Sequence, residues 1–141
     1  MPSFLLDTNI VSETARKKPD SRLLAWVSQL PSMTLAAITV YEIASGIHRL
    51  PHGEKRAFLE EWFAELLASG CDIVPFDREA ALACAALEAE ARHARRTVEI
   101  RDLFILATAK SRTLHLATRN VSHFRGLGVP IYDPFKGVHF I

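Results

Sequence analysis

The stretch that decides the fold lies close to the N-terminus and reads Phe4-Leu5-Leu6-Asp7-Thr8-Asn9. Ser3 to Leu6 has the pattern of a short buried strand, and the three polar residues that follow favour turns and helix caps. A strand that passes directly into a helix is the first half of a β-α unit, and such units build parallel sheets. The sequence therefore predicts an α/β protein whose first strand ends at Asp7.

Strand and helix patterns alternate along the rest of the chain. Further strand patterns cover Met33 to Ile38, Ile73 to Phe76, His115 to Ala117 and Val129 to Tyr132. Pro75 places the third strand at an edge of the sheet or ends it. Strands separated by helices favour a central, mostly parallel sheet of about four or five strands with helices on both faces, which is a three-layer sandwich. We expect one domain over residues 1–141, because no linker or repeat divides the sequence.

The helix patterns have clear boundaries. Apolar residues recur at helical spacing before Pro31 and again from Glu54 to Ala68. Asp77 is placed to cap an alanine-rich helix that reaches about Arg95, and Arg101 to Ser111 forms another.

Composition sets limits on the class of protein. The chain has 141 residues and is 49% apolar, which is enough for a core without disulfides or structural metals. Its two cysteines, Cys71 and Cys84, have neither C-x-x-C spacing nor a His cluster beside them, which suits a reducing compartment. No stretch approaches the roughly 20 apolar residues that span a bilayer, and no signal peptide pattern is present. We expect a cytoplasmic protein without a membrane segment.

The charges are unevenly distributed along the sequence. Residues 1–89 carry 8 basic and 12 acidic side chains, whereas residues 90–141 carry 9 and 4. A basic region beside an acidic pocket would let a polyanion approach a metal centre, since phosphate contacts supply most sequence-independent affinity for nucleic acid. The alternative is a solvated helix face, to which Arg92, Arg95 and Arg96 fit equally well.

Four polar residues stand where an apolar run gives way to a helix pattern: Asp7, Glu42, Asp102 and Asn120. In an open α/β sheet these places lie along one rim, so residues distant in sequence meet in one pocket. Carboxylates a few ångströms apart raise one another's pKa or require a cation between them. Oxygen ligands without His or Cys select Mg²⁺ or Mn²⁺ over Zn²⁺. The pattern predicts a divalent-cation site.

Each acid also has a structural alternative. Asp7 could cap the helix that follows it. Glu42 could close a capping box with Thr39, and Asp102 could be stabilised by the dipole of its helix. The joint pattern favours the site, because independent caps would not need to converge.

Other polar residues are assigned ordinary roles. Asp77 is better explained as a helix cap. Glu99 is better explained as a solvated loop acid, although it could ligate the ion or accept a hydrogen bond from one of the groups around it. His115 and His123 lack metal-ligand spacing and fit structural or surface positions.

The residues in this order resemble a PIN domain, over essentially the whole chain. The resemblance rests on Asp7-Thr8-Asn9 after the first strand, Glu42 at the start of the third helix, Asp102 opening an apolar helix, and the segment from Thr118 to Phe124 after a late strand. The segments Leu5 to Ile10 and Ala117 to Asn120 are most similar to VapC-type toxins of bacterial toxin–antitoxin pairs, including the FitB-like branch.

This resemblance implies a site and an activity. Asp7, Glu42 and Asp102 would ligate Mg²⁺ or Mn²⁺, and Asn120 would occupy the fourth catalytic position. Thr8 and Thr118 would contact metal-bound water or the scissile phosphate, and Arg119 of the basic half would contact the substrate. We expect a metal-dependent endoribonuclease that hydrolyses RNA, in which the cation activates water and offsets phosphate charge.

The same resemblance implies partners for the protein. An antitoxin would place a C-terminal segment, often with an Arg or Lys, into the acidic groove, and the protein would form a homodimer or a toxin–antitoxin hetero-oligomer. A cationic side chain would compete with the metal for the same negative potential.

The sequence departs from the PIN pattern in two places. Ala94 to Thr97 stands where many relatives have a Gly, and His123 replaces a frequent Asp. Two alternatives stay open: a PIN-like RNA-binding protein without catalysis, and a receiver-like signalling domain. The receiver needs adjacent acids after the first strand and a lysine after a late one, whereas this chain has Asp7 alone and Arg119.

Overall fold

The structure is a computed structural model that describes residues 2–141. The strands are β1 (Phe4–Leu6), β2 (Thr34–Ala36), β3 (Asp72–Val74), β4 (His115–Ala117), β5 (Ile131–Asp133) and β6 (Val138–Phe140). The helices are α1 (Thr8–Glu13), α2 (Ser21–Ser28), α3 (Ala37–His48), α4 (Glu54–Ala68), α5 (Arg78–His93), α6 (Ile100–Ser111) and α7 (Val121–Phe124). Within residues 2–141, every helix is too short or too polar to cross a lipid bilayer.

The strands form one six-stranded sheet in the order β3-β2-β1-β4-β5-β6. All neighbouring pairs are parallel except β5 and β6, which run antiparallel. Leu6, the last residue of β1, is in register with Leu35 of β2 and with Ala117, the last residue of β4. The carboxyl ends of these three central strands therefore open onto the same rim.

Alternation along each central strand divides the core between the two faces of the sheet. Leu5 and Leu116 pack on one face against α5 and α6, together with Leu87, Ile105 and Leu106. Phe4, Leu6 and Leu35 pack on the other, with side chains of α1 to α4. A strand residue alternates faces with a period of two, so a buried parallel strand needs apolar residues at consecutive positions. The predicted three-layer α/β architecture is confirmed.

The sequence patterns gave the wrong extent for some elements. The second strand ends at Ala36, and Ala37 and Ile38 already belong to α3. The last predicted strand lies at Ile131–Asp133, and the sheet has six strands because Val138–Phe140 adds one by a hairpin. The third strand is shorter than predicted, and it does lie at an edge.

Candidate active site

Asp7 lies where β1 ends and α1 begins, at the centre of the rim. Only 4% of the residue is exposed. Its Oδ1 accepts a hydrogen bond from the backbone N–H of Thr8 at 2.8 Å. Its Oδ2 accepts from the Thr118 hydroxyl at 2.7 Å and from the side-chain amide of Asn9 at 3.0 Å. The carboxylate is therefore held by donors from the start of α1 and from the residue after β4, and its capping of α1 uses one oxygen.

Thr118 connects three segments around Asp7. Thr118 follows β4 and is completely buried. Besides donating to Asp7, its hydroxyl accepts from the backbone N–H of Asn120 at 3.0 Å. Asn9 in turn accepts from the backbone N–H of Arg119 at 3.1 Å. These bonds fix the loop after β4 to the start of α1.

Glu42 reaches the rim from the second turn of α3. This helix follows β2 directly, and its N-cap is Ala36, which makes no side-chain cap. The capping box with Thr39 is therefore wrong, because Glu42 lies inside the helix. Its Oε1 accepts from the Thr8 hydroxyl at 2.7 Å instead. That bond ties Glu42 to the residue next to Asp7.

Asp102 lies in the first turn of α6 and is partly buried. Its Oδ2 is 3.1 Å from Nδ1 of His123, which comes from α7. Glu99 is the N-cap of α6, since its carboxylate accepts from the backbone N–H groups of Arg101 and Asp102. Glu99 thus caps α6, and His123, which the sequence assigns to a structural or surface position, contacts Asp102 at the rim.

The remaining predicted residues line the outer part of this rim. Asn120 is exposed at the start of α7, and its backbone N–H holds it against Thr118. The guanidinium carbon of Arg119 lies 3.7 Å from the centre of the Phe135 ring. A guanidinium in this position forms a cation–π contact.

The acids interact electrostatically. Burial raises the pKa of the Asp7 carboxyl from 3.8 to about 6, against the hydrogen bonds from Thr118 and Thr8. The negative charges of Asp102 and Glu42 raise it further, which places both near Asp7. Partial burial also raises the pKa of Asp102, and the hydrogen bond and charge of His123 oppose that rise.

The chemistry of these side chains suits a hard divalent cation. Among residues 2–141, Asp7 and Glu42 form no ion pair with a Lys or Arg, and the ion-pair partner of Asp102 is His123. Asp7, Glu42 and Asp102 supply oxygen donors of the kind that Mg²⁺ and Mn²⁺ prefer. In the described part of the chain, however, no three His, Cys, Asp or Glu side chains are close enough to ligate one ion together. Glu42 is instead bonded to Thr8, and Asp102 to His123.

Two residues of the site were not assigned to it from sequence. Asn9 is one of the residues after the first strand, yet only the folded chain shows that its amide contacts both Asp7 and Thr118. His123 meets Asp102 across 21 residues of sequence. Arg96 fixes the segment that carries His123, because its guanidinium donates to the carbonyl groups of Ser122, His123 and Arg125.

The fold and this rim of acids agree with a family comparison. The model of the PIN domain family matches residues 4–127, so the chain belongs to the PIN domain family. The resemblance seen in the sequence is confirmed, and the receiver-like alternative is set aside.

Within this family the chain is similar to proteins named as toxins and ribonucleases. It is 33% identical over 137 residues to the VapC ribonuclease Y4jK of Sinorhizobium fredii, covering 94% of this chain and 98% of that protein. It is 33% identical over 136 residues to the toxin FitB of Neisseria gonorrhoeae, with the same coverage of 94% and 98%. It is 29% identical over 128 residues to the tRNA(fMet)-specific endonuclease VapC of Shigella flexneri, covering 91% and 94%.

Solved structures give the same result. The crystal structure of FitAcB from Neisseria gonorrhoeae aligns with a TM-score of 0.85 at 34% identity, covering 94% of this chain and 98% of that one. A toxin–antitoxin complex from Klebsiella pneumoniae aligns with a TM-score of 0.72 at 25% identity, with coverage of 94% and 98%.

Proposed function

We propose that this protein is a divalent-metal-dependent endoribonuclease and the toxin of a type II toxin–antitoxin pair. The observation that carries the proposal is the meeting of Asp7, Glu42 and Asp102 at one rim, with no Lys or Arg among residues 2–141 paired to them. Relatives named as a ribonuclease and as a tRNA-specific endonuclease support RNA as the substrate.

The protein residues would each act on the ion or the substrate. Asp7 is held rigidly by Thr118 and Asn9, so it would provide a fixed ligand. Glu42 and Asp102 would turn from Thr8 and His123 to complete the site, since they do not reach a common ion in this arrangement. The bound cation would supply Lewis-acid activation of water and offset charge on the phosphate.

The residues after β4 would position the RNA. Thr118 is bonded to Asp7 through its hydroxyl, and Thr8 bonds Glu42 in the same way. Each of these hydroxyls gives its single hydrogen to an acid in this arrangement. Thr8 would donate to a phosphate oxygen or a water once Glu42 turns to the ion, and the buried Thr118 would act by holding Asp7. Asn120 is exposed next to Thr118 and would occupy the fourth catalytic position. Arg119 would contact the substrate after leaving the Phe135 ring.

The partner in this proposal is an antitoxin protein. Support comes from the FitB relative and from the toxin–antitoxin complex that shares the fold. The protein would form a homodimer or join its antitoxin in a hetero-oligomer. A cationic side chain of the antitoxin would silence the enzyme by occupying the negative potential of the acids.

A cleavage assay with a matched control tests the enzymatic proposal. Purified wild-type protein and Asp7→Asn are incubated with bulk tRNA and with single-stranded RNA, with Mn²⁺ or with a chelator. The control is Asp77→Asn, because Asp77 also follows a strand and caps a helix, yet lies outside the acid cluster. We expect cleavage by wild type and Asp77→Asn with metal, and none by Asp7→Asn. RNA binding without cleavage by wild type would favour the non-catalytic RNA-binding alternative.

A further inference from the structure

A groove leads away from the acids between α1, α3 and α4. Its volume is about 1140 Å³, and Thr8 and Glu42 form part of its wall. Most of its remaining wall is apolar and comes from Ile43, Ile47, Phe58, Leu59 and Trp62. Because Glu42 belongs to both, a chain that lies in this groove would pass beside the acids.

The mouth of the groove is basic. Arg16, Lys17 and Lys18 follow one another in the loop after α1, and Lys55 faces them from the first turn of α4. Glu54 is the acid beside Lys55 on that wall. Lys17 and Lys18 are exposed and form no ion pair within residues 2–141. Their charges are therefore available to a polyanion.

The basic half of the sequence is less available. Arg92 pairs with Glu88, Lys110 with Glu90 and Arg112 with Asp77. Arg96 donates hydrogen bonds to backbone carbonyl groups. Arg119 lies over the ring of Phe135, and Arg125 over the ring of Phe140. Most of the basic half is therefore already engaged within the protein, whereas Lys17 and Lys18 line the groove whose wall includes Glu42.

A buried carboxylate fixes the basic loop. Glu13, the last residue of α1, is only 5% exposed. Its Oε1 pairs with Nη1 of Arg16 at 3.2 Å, and its Oε2 accepts from the backbone N–H of Asp20 at 3.0 Å. Asp20 is itself the N-cap of α2, where it accepts from the N–H of Leu23. Glu13 therefore binds the loop at both ends and limits where Lys17 and Lys18 can lie.

We propose that Lys17 and Lys18 bind the phosphate backbone of single-stranded RNA at the mouth of the groove, and that Glu13 is the positioning residue for their loop. This inference rests on the proposed ribonuclease function and assigns the surface that delivers the substrate. Consecutive lysines bind phosphates as point charges, and single-stranded RNA also needs aromatic surfaces on which its bases stack. Phe58 lines the groove and is 57% exposed, which offers such a surface.

An RNA-binding measurement tests the role of the lysines. The probe is a fluorescein-labelled oligouridylate, and its affinity is measured by fluorescence anisotropy over a range of salt concentrations with a chelator present. We expect Lys17→Gln/Lys18→Gln to weaken binding roughly tenfold and to reduce the slope of log K against log salt by about 1.4, since each single-strand phosphate contact contributes about 0.7. The control Arg78→Gln/Lys110→Gln removes the same charge outside the groove and should bind as wild type does.

A second measurement tests Glu13 in the metal-loaded enzyme. Glu13→Gln keeps an acceptor for Asp20 but loses the ionic bond to Arg16. We expect its KM for RNA to rise several-fold while kcat is retained, and trypsin to cleave after Arg16 and Lys17 faster than in wild type. A loss of kcat with unchanged KM would overturn the positioning role.

The outcomes separate this inference from the proposed function. Equal affinity and equal salt slope for wild type and the double lysine variant would overturn the RNA-binding loop, and would leave the groove for a protein partner. Binding that weakens as predicted, in a wild-type protein that does not cleave, would instead sink the ribonuclease proposal alone.

Discussion

Replacing Asp7 with Asn should change how the stability of the metal-free protein depends on pH. Burial raises the pKa of Asp7 from 3.8 to about 6, so the folded protein holds this proton more tightly than the unfolded chain. The contribution of Asp7 to stability is then present at acid pH, and it is lost as the pH rises from the unfolded pKa to the folded one. A rise of roughly 2 units corresponds to about 3 kcal/mol.

The variant removes this titration but keeps most of the shape. Asn at this position can still accept the bond from the backbone of Thr8. Its amide nitrogen cannot accept the hydrogen bonds from Asn9 and Thr118 that the carboxylate Oδ2 accepts. The loss of these bonds offsets part of the stability that the variant gains at neutral pH. The difference in unfolding free energy between variant and wild type should therefore shift by about 3 kcal/mol in favour of the variant between about pH 3 and about pH 7.

The assay is urea denaturation, followed by fluorescence, at several pH values with a chelator present. Asp77→Asn is again the control. The hydrogen bond from Arg112 lowers the pKa of Asp77, so its stabilising contribution is present at neutral pH and lost only below its ordinary range. This control should be less stable than wild type by a nearly constant amount at every pH above that range. If wild type and Asp7→Asn instead give parallel curves, Asp7 is not the buried, proton-retaining acid described here.

Three further outcomes follow from the same contacts. In a thermal scan, Mn²⁺ should raise the melting temperature of wild type and leave that of Asp7→Asn unchanged. The added stability of wild type should be about 2.7 kcal/mol when the free Mn²⁺ concentration is one hundred times the dissociation constant. An equal rise in both proteins would contradict the site. In denaturant melts at neutral pH, Thr118→Val should lower the free energy of unfolding by about 1 to 3 kcal/mol, because it removes the donor to Asp7. Thr118→Ser should stay near wild type. Equal losses in the two variants would show that packing, and not the hydrogen bond, is responsible. Arg96→Ala should speed amide hydrogen exchange around His123, because it removes the hydrogen bonds that Arg96 donates to three carbonyl groups there. Unchanged exchange would show that Arg96 does not restrain this segment.

The fold was largely predictable from sequence because its signal is local. The apolar run before Asp7 and the helix signal after it fix a strand, a turn and a helix within a few residues. Parallel pairing then places the ends of β1, β2 and β4 at one rim, which is why Asp7, Glu42 and Asn120 could be grouped from sequence. Asp102 opens α6, which follows a helix, and its place rests on the helix-start pattern alone.

What sequence could not give depends on tertiary contacts. Thr39 and Glu42 have capping-box spacing, but β2 runs directly into α3 and the helix begins earlier, at Ala37. His123 lacks metal-ligand spacing, and its contact with Asp102 joins residues that are distant in sequence. Strand β6 was missed because a three-residue strand that pairs only with β5 carries little pattern of its own. Glu13 has the sequence of an ordinary helix residue, and only burial reveals its contacts.

The central claim is that acids distant in sequence share one divalent ion. A crystal soaked in Mn²⁺, with anomalous scattering recorded for the metal, tests it directly. We expect one Mn²⁺ ligated by oxygens of Asp7, Glu42 and Asp102, with the contacts from Glu42 to Thr8 and from Asp102 to His123 broken. An ion bound elsewhere, or these carboxylates left without anomalous density between them, would contradict the account.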